Sequence, residues 1–176
     1  MELTRYASPL GTIFLAADNG ALAGLWLEGQ KYFAATLDAQ HEETMLPIFE
    51  QTRRWLDNYF GGNDPGPTPP LHLQGSPFRL AVWEILRQIP FGKTITYGEI
   101  AREIARRQGS KTVPAQAVGG AVGHNPVSII VPCHRVVGSN GSLTGYAGGI
   151  DKKVKLLELE RTDMRGFFIP AMGTAL

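Results

Sequence analysis

Residues 125–149, NPVSIIVPCHRVVGSNGSLTGYAGG, decide how the chain is expected to fold, because they join an apolar run to a glycine-rich loop. The apolar run ends at Pro132, and Cys133, His134 and Arg135 follow directly. A thiol reacts only as the thiolate, and a neighbouring base or positive charge favours that form. Eight of the 21 glycines lie between residues 119 and 149, where bare backbone would let a flat ligand approach closely. By themselves these residues leave two interpretations open, a reactive cysteine beside a binding loop or a small buried Cys133 with a structural imidazole next to it.

The composition narrows the class of protein. Cys133 is the only cysteine, which excludes an intrachain disulfide and a zinc site with two or more thiolates. With 43% hydrophobic and 19% charged residues in 176, the chain is expected to form a real core. No apolar run reaches the roughly 18 residues of a membrane span, and no secretory signal pattern opens the sequence. We therefore expect a cytoplasmic protein, whose net charge of +1 still allows a local basic surface.

Helix signals surround the cysteine stretch. Ser76 before Pro77 predicts a helix start, and Thr96 with Glu99 fits a capping box for a second helix that Gly109 would end. An Ala- and Gly-rich helix is predicted over residues 112–123, so that this pair forms a helix-turn-helix. Residues 127–131 are predicted as a short buried strand or extended run, and residues 151–161 as a last helix.

The first part of the chain predicts a different unit. Strands are expected over residues 11–17 and 22–27 around a turn, followed by a helix with apolar positions from Met45 to Tyr59. Residues 61–70, GGNDPGPTPP, can form neither a helix nor a central strand. We predict an α+β/α fold class in which an N-terminal α/β domain over residues 1–62 precedes a mainly helical domain over residues 75–176. Residues 63–74 would link the two domains.

The region from about residue 75 to residue 160 resembles the O6-alkylguanine-DNA alkyltransferases. Their Pro-Cys-His-Arg-Val signature stands here as Pro132 to Val136. Further matches in the same order are FGK at 91–93, YGEIA at 97–101, AVGGA at 117–121, YAGG at 146–149 and KLLELE at 155–160. The resemblance implies a single-turnover transferase of DNA repair, a methylated-DNA–protein-cysteine methyltransferase. Such a protein moves the alkyl group from O6 of a flipped guanine irreversibly onto its own cysteine. The same resemblance implies that the N-terminal domain over residues 1–62 is a ribonuclease-H-like roll.

The resemblance also implies roles for individual residues. Cys133 would be the acceptor, His134 its water-mediated base and Glu160 the carboxylate that orients the histidine. Asn125 would hold the turn before the active-site segment, and Tyr97 would meet the flipped base and give it a proton. The base and its alkyl group would contact Val136, Tyr146, Ala147 and Gly148. The residues alone leave other interpretations open. Glu160 could be a solvated helix residue, Tyr97 and Tyr146 core aromatics, and Asn125 an ordinary turn residue.

The predicted second helix of the helix-turn-helix offers little to base edges in the major groove. Its small side chains would suit close contact with a minor-groove wall, where little sequence is read. The expected DNA contacts are Thr96, Ala115, Gln116, Ala117, Gly119, Gly120 and Arg135, with Arg102, Arg106, Arg107 and Lys111 as further candidates for phosphates. Many members of the family carry an arginine where this chain has Gln116, so base flipping is expected to differ here.

The expected partner is double-stranded DNA with O6-alkylguanine, bound by a monomer that needs no membrane, metal or cofactor. O4 of thymine is left open as a second substrate atom. Three other functions fit parts of the sequence. A lesion sensor that binds without transfer would lack the acceptor cysteine, and a Cys-His hydrolase would regenerate its thiol and use a better placed histidine. A transcription factor would need more base-reading side chains than Gln116.

Overall fold

A computed structural model describes residues 1–36 and 42–171. The chain divides into two compact units, and neither is continuous in sequence. Unit 1 comprises Met1–Gln74 and Pro126–Ile130, and unit 2 comprises Gly75–Asn125 and Val131–Leu176. The expected fold class is confirmed, since a small strand-rich unit precedes a mainly helical one.

In its described residues, unit 1 consists of a four-stranded sheet and one helix. The strands β1 (Glu2–Ser8), β2 (Gly11–Asp18), β3 (Ala21–Leu27) and β4 (Glu42–Glu43) take the order β3-β2-β1-β4. The first three strands are antiparallel neighbours, and the short β4 runs parallel to β1. Helix α1 (Pro47–Phe60) buries an apolar face that includes Phe49 and Leu56. The predicted strand pair and the helix ending near Tyr59 are thus confirmed.

The outer edge of β3 carries two further pieces of chain. Leu22 exchanges backbone hydrogen bonds with Pro70 and His72, so the end of the predicted linker pairs with this strand. Leu25 does the same with Pro126 and Ser128. Backbone donors and acceptors along an open sheet edge are thereby satisfied.

Helix α2 (Pro77–Arg87) opens unit 2, and α3 (Tyr97–Gln108), α4 (Ala115–Gly123) and α5 (Ile150–Leu159) follow. Two short strands of this unit, β5 (Ile95–Thr96) and β6 (Val136–Val137), pair with each other in parallel. The Ser76 cap, the Thr96–Glu99 capping box and the left-handed Gly109 are all confirmed. Within the described residues, none of the helices combines the length and apolar character that crossing a bilayer requires.

Two predicted elements differ from the structure. The helix expected over residues 112–123 begins at Ala115, because Pro114 is extended and serves as its N-cap. Residues 127–131 form no strand, although Val127 makes a single bridge to Leu25. Ile129 has φ of 71°, and the amide of Ile130 bonds to the carbonyl of Ser128 in a tight γ-type turn. Such a φ is rare for a β-branched residue, so the run of apolar residues was misleading.

Candidate functional site

Cys133 lies in a single turn of 3-10 helix, Cys133–Arg135, directly before β6. Its side chain is only 4% exposed, and its amide bonds back to the carbonyl of Val131 across Pro132. The Asn125 side-chain amide donates to Cys133 Sγ at 3.2 Å and to the Val131 carbonyl at 2.7 Å. Asn125 therefore fixes both the thiol and the turn that precedes it, which fits the position predicted for it.

The thiol is a neutral group in this setting. Burial raises the pKa of Cys133 above its ordinary value, and the Asn125 amide, the Lys153 charge and backbone N–H groups only partly oppose that shift. A nucleophile is needed in the thiolate form. To act as a nucleophile, Cys133 would therefore need a nearby base to take its proton.

Glu160 connects the cysteine turn to the rest of unit 2. Its carboxylate accepts a hydrogen bond from His134 Nε2 at 2.6 Å and from the Gly92 amide at 3.1 Å. Arg135 adds two bonds through Nε and Nη2, at 2.8 and 2.9 Å. His134 and Glu160 are both buried, so the Glu160 carboxylate is shared by an imidazole, a guanidinium and a backbone amide.

These contacts set the charges of the cluster. Burial acts to raise the pKa of Glu160, but the hydrogen bonds and charges of His134 and Arg135 outweigh it and hold that pKa well below its ordinary range. Burial lowers the pKa of His134 more than Glu160 raises it. At neutral pH, Glu160 is thus a carboxylate, and His134 is a neutral imidazole able to accept a proton.

Arg135 was predicted as a phosphate contact, and the structure requires a correction. The residue is 8% exposed, and besides Glu160 its side chain bonds to the Ile89 carbonyl at 2.7 Å and lies over the Phe91 ring. A guanidinium held in this way serves the Glu160 carboxylate and is not presented to DNA. We reassign Arg135 from DNA binding to the support of the buried cluster.

Lys153 is a site residue that the sequence reasoning missed. It is fully buried in α5, and its ammonium donates to the carbonyls of Val136 and Thr144. Burial lowers its pKa to about 8, while the charge of Cys133 acts in the opposite direction. The signal was available, because Lys153 lies three and four positions before the apolar Leu156 and Leu157 and therefore on their helix face.

The Thr144 carbonyl accepts hydrogen bonds from two site residues, the newly found Lys153 and the predicted Tyr97. It accepts from Lys153 Nζ at 2.7 Å and from the Tyr97 hydroxyl at 3.2 Å. Burial, with a smaller effect of Cys133, raises the pKa of Tyr97 well above its ordinary value. Tyr97 is therefore a protonated donor near neutral pH. Val136 is predicted to contact the base, and its carbonyl already accepts a hydrogen bond from Lys153.

The residues predicted to hold the base follow Thr144 closely. Tyr146 is buried with its ring 6.4 Å from the His134 ring, edge to face. Its hydroxyl has no hydrogen-bond partner in the described part of the chain. Ala147 and Gly148 are half-buried next to it. Burial raises the pKa of Tyr146 well above its ordinary value, so this side chain offers an uncharged ring and a free donor.

The helix-turn-helix is formed by α3 and α4, with residues 109–114 between them. Ala115, Gln116 and Ala117 are exposed at the start of α4, and a side chain added at Gly120 would meet open space. Gly119 is buried, so of the predicted contacts on this helix it is the one that does not face solvent. The exposed face of α4 is thus small and nearly uncharged, which permits a close approach of a surface.

The cationic side chains of α3 differ in how they are used. Arg106 and Arg107 both bond to Glu103, at 2.8 and 2.7 Å. Exposed pairs of this kind contribute little stability and exchange readily with other anions. The Thr96 hydroxyl accepts a hydrogen bond from the Glu99 amide and thereby caps α3. Within residues 1–36 and 42–171 no group of three His, Cys, Asp or Glu side chains could hold a metal ion.

The fold and the site together define a class of protein, one that pairs a helix-turn-helix with a buried cysteine supported by a His–Glu–Arg cluster. Two family models match the chain. The 6-O-methylguanine DNA methyltransferase DNA-binding domain matches residues 77–162, and the ribonuclease-like domain of the same proteins matches residues 1–71. The chain belongs to the 6-O-methylguanine DNA methyltransferase family.

Individual relatives agree with this assignment. The chain is 39% identical to the methylated-DNA–protein-cysteine methyltransferase of Haemophilus influenzae over 90% of this chain and 85% of that protein. It is 41% identical to the protein of the same name from Methanosarcina acetivorans over 88% and 95%, respectively. The crystal structure of Mycobacterium tuberculosis OGT in complex with DNA superposes with a TM-score of 0.79, at 39% identity over 92% of this chain and 93% of that one.

Proposed function

We propose that this protein repairs DNA by moving an alkyl group, such as methyl, from O6 of guanine to Cys133, once and irreversibly. The observation that carries the proposal is the buried thiol held by Asn125 in the same short turn as His134, whose ring bonds to Glu160. Family membership and the relatives named methylated-DNA–protein-cysteine methyltransferases support the reaction class. Because the acceptor is not regenerated, each molecule acts once.

The proposed reaction is a displacement at the alkyl carbon. The Cys133 proton passes through a water molecule to neutral His134, and the thiolate attacks the carbon attached to O6. A sulfur–carbon bond forms, the carbon–oxygen bond breaks, and its electron pair stays on the guanine. Tyr97 donates a proton to the departing base, and the proton taken up by His134 restores the tyrosine. Thiol and alkylguanine thus become thioether and guanine, without a cofactor.

Reaching O6 requires the nucleotide to leave the duplex. The small exposed face of α4 suits close contact with a minor-groove wall, with Ala115, Ala117 and Gly120 offering little obstruction. A flipped purine would then stack on Tyr146, near Ala147 and Gly148. The unpartnered Tyr146 hydroxyl is consistent with a ligand in this pocket.

The reaction is tested by the intact mass of the protein after mixing with excess duplex that contains O6-methylguanine. We expect a gain of one methyl group on the peptide that carries Cys133, stopping at one equivalent. The Cys133→Ser variant is the matched control and should gain nothing. Tight binding of the methylated duplex by the wild-type protein without any mass gain would contradict the transfer and leave a lesion-binding protein.

Gln116 is proposed to fill the space that the flipped base leaves. A glutamine can bond to the orphaned base but brings no positive charge. We expect Gln116→Ala to slow transfer from methylated duplex about five- to tenfold, the effect of about 1 kcal/mol for one hydrogen bond, and Gln116→Arg to speed it. The single-turnover rate measures this effect. Gln51→Ala, equally exposed on α1, should leave the rate unchanged.

A rate that is the same in Gln116→Ala and wild type would show that this side chain takes no part in flipping. Free O6-benzylguanine base serves as an internal comparison, since no flipping is needed and all variants should react alike. The cytoplasmic location, the monomeric state and the domain bounds inferred from the sequence stay predictions.

A further inference from the structure

After α5 the chain turns back and pairs with the loop that leads to the proposed base pocket. We define residues 163–168 as the strap and residues 138–149 as the base loop. The Phe168 amide donates to the Gly141 carbonyl at 3.1 Å, and the Leu143 amide donates to the Phe168 carbonyl at 2.9 Å. The result is a bridge between Ser142 and Phe168, so the strap is docked on unit 2.

Apolar side chains hold the strap from the other side. Val137, Leu143 and Leu157 form a buried cluster, and Met164 and Phe167 of the strap pack against it. Leu143 belongs to the base loop and Leu157 to α5, so the cluster joins three parts of unit 2. Strap, helix and loop are thus secured by packing as well as by backbone hydrogen bonds.

The base loop is shaped to receive the strap. Gly141 has φ of 88°, and a Cβ atom there would lie 2.0 Å from the Gly166 carbonyl oxygen. Only glycine permits both that backbone conformation and that approach. The turn is closed by the Gly141 amide on the Gly138 carbonyl and by the Gly138 amide on the Ser142 carbonyl.

The strap and Lys153 hold neighbouring points of the same loop. Leu143 bonds to the strap, and the next residue, Thr144, accepts from Lys153 and Tyr97. Tyr146, Ala147 and Gly148 follow within four residues. A loop fixed at two successive residues has less freedom at the positions that come next.

We infer that the strap is a positioning segment for the base pocket, setting the place of Tyr146 through the bonds between Phe168 and residues 141–143. The inference rests on the proposed function. The family DNA-binding domain match ends at residue 162, immediately before the strap, so this device lies outside the matched domain. The strap touches neither substrate nor Cys133 in this scheme and acts only through the base loop.

Two truncations test the inference. One ends the chain after Thr162 and removes the strap, and its control ends after Ala171 and keeps it. Single-turnover transfer from O6-methylguanine duplex and from free O6-benzylguanine base is measured for both. We expect the shorter chain to react about ten- to a hundredfold more slowly with both substrates, the usual effect of slight misplacement in a site. Binding of unmethylated duplex should be unchanged, because α3 and α4 are intact.

Point variants cover the case in which the shorter chain fails to fold. Phe167→Ala and Gly141→Ala each weaken the strap contact, while Ile13→Val in the core of unit 1 provides a variant of lowered stability without touching it. At temperatures well below the melting temperature of each variant, we expect the first two to slow transfer and the third to leave it unchanged. Equal slowing in Ile13→Val, or wild-type rates in both strap variants, would overturn the inference. Absence of transfer in the full-length protein would instead contradict the proposed function.

Discussion

Replacing Glu160 by glutamine is expected to lower the free energy of unfolding at neutral pH by about 3 kcal/mol. Arg135 would remain charged and buried without its carboxylate, because a guanidinium cannot be neutralised in a protein. A glutamine oxygen can accept one of the bonds now made by Arg135, His134 and Gly92, but it provides no charge. Transfer should also slow, because His134 would lose the acceptor that orients its ring.

The pH dependence of that difference has a definite sign. The pKa of Glu160 is lowered from its ordinary value of 4.5, so the folded protein binds its proton less well than the unfolded chain does. The stabilisation by the carboxylate is therefore fully present above about pH 5 and declines as the pH falls through and below that range. The difference in the free energy of unfolding between wild type and Glu160→Gln should therefore become smaller as the pH is lowered. Urea unfolding at several pH values measures it.

Glu158→Gln is the matched control, since Glu158 lies two residues before Glu160, in the last turn of α5, and is exposed. It should unfold within about 0.5 kcal/mol of wild type, as surface substitutions usually do. A Glu160→Gln protein as stable as this control would mean that the buried cluster makes no net contribution to the free energy of unfolding. An unchanged gap between neutral pH and acid would show that the effect does not come from the ionised carboxylate.

Lys153→Met is expected to slow transfer about tenfold or more and also to lower the free energy of unfolding. The Val136 and Thr144 carbonyls would lose their buried donor, at about 1–3 kcal/mol each. Removal of a buried cation offsets part of that cost, as the lowered pKa of Lys153 indicates. The effect on the reaction has a separate cause, because Thr144 would lose an anchor and Cys133 the cation that opposes its raised pKa.

The pH profile separates this role from a purely structural one. A nearby cation favours the thiolate, so its removal should shift the rise in transfer rate towards higher pH. Single-turnover rates from about pH 6 to about pH 9 measure the shift. Lys155→Met, an exposed lysine two residues further along α5, is the control and should follow the wild-type profile. A Lys153→Met profile that keeps its shape and only falls in height would leave no electrostatic role for this lysine.

Local signals in the sequence predicted the helices of unit 2 well. Ser76, the Thr96–Glu99 pair and Gly109 specify helix ends through contacts within a few residues, so a single sequence suffices to place them. The prediction of a strand or extended run over residues 127–131 was wrong, because local signals do not specify the conformation of these residues. Their apolar character favours a strand, but Ile129 takes a left-handed conformation that no propensity predicts.

The charged residues of the site were harder to predict. The sequence predicts a DNA contact for Arg135, close to a reactive cysteine, and it assigns no role to Lys153 between Lys152 and Val154. Both are buried, and their partners, Glu160 and the Thr144 carbonyl, are 25 and 9 residues away. Helical spacing places Lys153 on the apolar face of α5, but it does not reveal the distant partners that make the burial of either cation possible.

The interleaving of the two units has a consequence for how the protein is made. Pro126–Ile130 belongs to unit 1, although the 51 residues of Gly75–Asn125 come before it in the chain. On the ribosome, the N-terminal sheet therefore has to wait for its last edge segment until most of the helical unit has emerged. A gene cut within residues 63–74 would give two products that are each missing something: the first would leave Leu25 without its backbone partners, and the second would carry five residues with no sheet to join.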